Sequence, residues 1–152
     1  MKLKEEMFAA KLDELERQYG QMIKRIRLCQ QQDHEKISQE LRIASEEFRQ
    51  NEISLQRNIE GSRSPAVAAL AKAQLDYFRK IKDIRDQELP DYLCSETETI
   101  SGSRAEASAL YTEYAVDFAV QSMKYALLSA LKAIHTEMET EEKENGSTDG
   151  KE

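Results

Sequence analysis

The sequence predicts an all-α protein: an antiparallel coiled-coil bundle of three long helices, or four if the chain turns near Gln32. Three observations lead there. Apolar residues recur at alternating steps of three and four, the 3.5-residue period of helices that pack along a seam. Breakers are scarce, with 5 Gly and 2 Pro in 152 residues. The strongest of them fall between the periodic stretches, beside residues that cap helices.

The first stretch runs from about Leu3 to Ile59. Phe8, Leu12, Leu15, Tyr19, Met22, Ile26 and Cys29 follow one another at steps of 4, 3, 4, 3, 4 and 3. Residues 30–34 (Gln-Gln-Gln-Asp-His) offer nothing apolar, and the pattern resumes at Ile37, Leu41, Ala44 and Phe48. Gln, Glu and Lys are good helix formers, which favours one continuous helix of roughly 80 Å at 1.5 Å per residue. The competing reading is a turn in which Asp33 caps a second helix.

The next helix is expected to start at Pro65, with Ser64 as its N-cap. Val67, Leu70, Gln74, Tyr77, Ile81 and Ile84 carry its stripe. Pro90 disfavours helical geometry at Leu89, so the helix is expected to stop near Glu88. A last helix is expected to open with a capping box, Ser103 with Glu106, and to reach about Met138. It is apolar nearly all round, with a narrow polar line of Glu113, Asp117, Gln121 and Lys124. That pattern places it at the centre of the bundle. Residues 1–140 thus read as the helical domain, and residues 141–152, which contain no apolar side chain, as a disordered acidic tail.

Charge narrows the function. The net charge is −7, and residues 137–152 hold seven acids against two Lys, so the rest of the chain is nearly neutral. A broadly basic surface, the electrostatic footprint of a nucleic-acid binder, is missing. Two basic clusters stand out locally: Lys24, Arg25 and Arg27, and Arg79, Lys80, Lys82 and Arg85. A charged start without an apolar segment after it, and no run of about 18 apolar residues, predict a soluble, cytoplasmic protein. Cys29 and Cys94 are then expected to be reduced thiols.

Nothing in the sequence specifies chemistry. His34 and His135 lack the Glu three residues before them that a helix-bundle di-iron site uses. Four clustered Cys or His ligands for zinc are missing. Phosphate-loop and nucleophile-elbow motifs are absent as well. No catalytic residue, cofactor or metal is therefore expected.

The octapeptide Ala73 to Lys80 (Ala-Gln-Leu-Asp-Tyr-Phe-Arg-Lys) resembles a segment of membrane-bending BAR domains. That likeness implies a dimer of long three-helix coiled coils acting at a membrane surface through basic clusters. It departs from the family pattern in two ways: a more apolar helix follows the segment, and the overall balance is acidic.

The leading expectation is a non-catalytic protein–protein interaction module, a scaffold, adaptor or chaperone-like protein that binds a protein partner or a second copy of itself. The first stripe is too long for the helices that could cover it. The residues expected to meet the partner are Leu12, Leu15, Tyr19, Met22 and Ile26. The alternative is a membrane-surface or nucleic-acid accessory protein using the two basic clusters.

Overall fold

A computed structural model describes residues 5–93 and 100–148. The protein is all-α, with no strand among the described residues. Helix α1 spans Glu5–Cys29, α2 His34–Gly61 and α3 Pro65–Asp83. A turn of π-helix, Ile84–Glu88, joins α3 to the short α4, Leu89–Leu93, and α5 spans Ile100–Thr148.

The long first helix is broken, so the turn is the correct reading. The Gln32 N–H donates to the Cys29 carbonyl at 3.1 Å. Asp33 is extended, and its carboxylate accepts the Lys36 N–H at 3.0 Å. The reason is local. Helix through residues 30–34 would bury no apolar side chain, whereas an Asp N-cap contributes about 1 kcal/mol. Asp33→Ala should therefore cost about 1 kcal/mol in chemical denaturation, with helix lost from the first turn of α2.

Ser62, Arg63 and Ser64 separate α2 from α3. Ser64 Oγ accepts the Val67 N–H at 3.4 Å, and Pro65 takes the first helical position, as its missing N–H allows. So short a link returns α3 antiparallel along α2. Phe48 of α2 meets Phe78 of α3 edge to face, with ring centroids 5.2 Å apart.

Pro90 does not stop the helix, contrary to expectation. The Leu89 N–H donates to the Ile84 carbonyl five residues back, and the backbone stays helical at Leu89. The wider π turn makes room for a pyrrolidine ring that would otherwise strike the preceding turn.

Two further expectations fail in α5. The helix already runs from Ile100, so Ser103 and Glu106 lie inside it and form no capping box. The helix is also not central. Among the described residues only Ala71 and Leu75 of α3 and Ser103 and Ala107 of α5 are buried. Each pair is one helical turn apart, so each of the two helices buries one short stripe in which Leu75 is the only large side chain. Beyond it, the large apolar residues of α5 from Val116 to Met138 are 37–62% exposed. At 49 residues, α5 is far longer than the 19-residue α3. It also continues past Met138 to Thr148, through part of the segment expected to be disordered, while residues 149–152 lie outside the described residues.

Ser103 Oγ is buried and has no hydrogen-bond partner among the described residues. Removing that hydroxyl relieves an unpaired buried group and introduces the best helix former. Ser103→Ala should raise the stability of the fold by about 1 kcal/mol in thermal or urea unfolding.

The chain forms two units: residues 29–114, and residues 1–28 together with 115–152. The first holds α2, α3, the π turn, α4 and the start of α5. The second holds α1 and the rest of α5.

Candidate interaction surface

All five residues expected to meet a partner are exposed. Leu12, Leu15, Tyr19, Met22 and Ile26 lie on α1 with 44–59% of their surface accessible. Their 3-4-3-4 spacing puts them on one helix face. Phe8 and Cys29, at the ends of the same stripe, are half-buried, and Cys29 is a free thiol. Gly20 lies within the stripe's length, and a methyl group added there would touch nothing.

Charged pairs secure the polar sides of the helices. Arg17 grips Glu14 through several hydrogen bonds, the shortest 2.6 Å. Arg49 and Gln50 both donate to Glu46, at 2.7 Å each, and hold its carboxyl at about 2. All of these groups are exposed, so salt screens them and their net contribution is small.

The two basic clusters fall in different units. Lys24, Arg25 and Arg27 belong to one unit, whereas Arg79, Lys80, Lys82 and Arg85 belong to the other. Arg85 is already engaged. Its Nε donates to Asp86 at 2.8 Å, and its guanidinium lies 5.6 Å from the Tyr111 ring centroid. The contact with Asp86 raises the Arg85 pKa and lowers that of Asp86.

An open cleft of about 620 Å³ lies in the first unit, with Phe48, Phe78, Ile81 and Tyr111 as apolar lining and Arg49, Glu52, Lys82 and Arg85 among its polar lining. The Tyr77 hydroxyl nearby has a raised pKa, through burial and then the neighbouring Tyr111 and Tyr114. Among the described residues no three His, Cys, Asp or Glu side chains converge on a metal position. None of their helices is long and apolar enough to cross a membrane. Cys94 lies outside the described residues.

One surface escaped the sequence reading: the exposed apolar face of α5. The signal was available, but a helix apolar nearly all round reads as buried, and that impression hid which side was free. No protein-family profile, curated protein or solved structure matches the chain.

Proposed function

We propose that the chain is a non-catalytic protein–protein interaction module, working through coiled-coil faces that its own fold leaves uncovered. The observation that carries this reading is the α1 stripe: five large side chains, Leu12, Leu15, Tyr19, Met22 and Ile26, regularly spaced and exposed. Scattered exposed apolar residues are ordinary, but a contiguous row is a recognition surface for another amphipathic helix.

The test is a comparison of wild type with Leu15→Glu/Met22→Glu, each recovered from the native host by affinity purification. Both residues are exposed, so the variant keeps its circular dichroism. Proteins that accompany wild type and are depleted at least about tenfold with the variant are the expected result, since two buried carboxylates cost several kcal/mol. Equal recovery with both proteins contradicts the reading.

A further inference from the structure

We infer that α5 pairs antiparallel with α5 of a second copy of this chain, along one exposed face running from Ala105 to Met138. The inference shares with the proposed function the premise that uncovered helix faces seek cover. It concerns a different helix, and its test is separable.

The face is defined by an 11-residue repeat. Ala105, Val116, Leu127 and Met138 are spaced by 11, as are Ala109, Val120 and Leu131, and Thr112, Met123 and Ile134. Steps of 4, 3 and 4 average 3.67 residues per turn, so the row stays on one side of a nearly straight helix. Every one of these ten residues is exposed. The buried residues Ser103 and Ala107 fall on another side, so covering this face does not disturb the core.

Side-chain size selects the second copy and its direction. The three repeats read Ala-Ala-Thr, Val-Val-Met and Leu-Leu-Ile, growing steadily toward the C-terminus. An antiparallel copy centred between Gln121 and Ser122 sets the smallest against the largest. Ala105 meets Met138 of the second copy, Ala109 meets Ile134 and Thr112 meets Leu131. Val116 meets Leu127, and Val120 meets Met123. Each layer then holds a similar volume, as close packing requires. A parallel pair would leave Ala against Ala at one end and crowd Leu and Ile at the other.

Charge selects the same register. On one flank of the face Asp117 comes within two residues, about 3 Å along the axis, of Lys124 of the second copy, and on the other Arg104 comes equally close to Glu141. In antiparallel pairs these flanking positions face their own kind across the seam. Ala119 and Ala126 come within the same two-residue offset on the second flank, where small residues let the backbones approach. A parallel pair would instead bring the acids at 137, 139, 141, 142 and 144 against their own copies. The two-fold axis makes the contact self-complementary and closed, so it yields a dimer and not a filament.

The test uses the full chain in sedimentation and in pulsed electron–electron distance measurement. Asp117→Lys should weaken the dimer about tenfold, because two attractive pairs become repulsive. Adding Lys124→Asp should restore most of that loss. Leu127→Glu should abolish the dimer while leaving the amide protection around Leu75 unchanged, since Leu127 is 61% exposed within the chain and lies outside its core. A spin label at Thr140→Cys, with Cys29 and Cys94 changed to Ser, should lie about 55 Å from its copy. A monomeric wild type, a double variant no better than the single, or labels within about 25 Å would each overturn the inference. Leu15→Glu/Met22→Glu should leave this dimer intact. If that variant alone abolishes it, the copies meet through α1, which sinks the α5 pairing and not the proposed function.

Discussion

Leu75→Ala should destabilise residues 29–114 by about 2–5 kcal/mol, the range for emptying a fully packed leucine position. Leu75 is 1% exposed and is the one large side chain among the four buried residues. The other three buried residues, Ala71, Ser103 and Ala107, are small. Such side chains have little reach with which to fill a vacated volume, so the cavity term persists. The urea midpoint should fall by about 1–2 M, given the usual slopes for small proteins. Leu70→Ala is the contrast. Leu70 lies on the same helix but is 69% exposed, and its replacement should change stability by no more than about 0.5 kcal/mol. Similar shifts for the two variants would mean that the core is not where Leu75 places it.

Hundredfold dilution of the protein should speed amide exchange about tenfold along residues 116–138 of α5. In a tight dimer the dissociated fraction grows as the inverse square root of concentration, and exchange proceeds through that fraction. The segment contains Val116, Val120, Met123, Leu127, Leu131 and Ile134, all exposed in a single chain. A helix with an uncovered apolar face has only its backbone and local pairs to hold it, and such helices are marginal in water. Amides around Leu75 should show no such dependence, because their protection comes from packing within the chain. Mass spectrometry of deuterium uptake at two concentrations distinguishes the segments directly. Equal exchange at both concentrations would mean that covering α5 contributes nothing to its order.

How much of this was legible in the sequence follows from the range of each signal. Local signals read true: Ser64 and Pro65 start α3 where the side-chain cap and the missing N–H require it. The helical period of α1 is legible in the sequence, whereas the exposure of Leu12 to Ile26 is expected there from one long continuous helix, a premise that the turn after Cys29 removes although the residues are exposed. The turn at residues 30–33 was visible as a gap in the pattern. There the helix propensity of Gln and Glu competes with one Asp cap, and packing, absent from both choices, does not arbitrate. Pro90 departs from expectation because the rule for the preceding residue assumes an α-turn, and a π turn relaxes it. The central position expected for α5 failed for a different reason. Apolar content shows that a surface needs cover, but not whether the same chain supplies it. The 11-residue spacing in α5 does not stand out in a sequence apolar nearly all round, and its meaning depends on Ser103 and Ala107 being buried on another side.

The most direct measurement is sedimentation equilibrium of the wild-type chain over the micromolar range. The uncovered faces predict a mass of twice 17.5 kDa that falls toward 17.5 kDa on dilution. A mass fixed at 17.5 kDa at every concentration would contradict the claim that this chain needs a second copy to cover its α5 face.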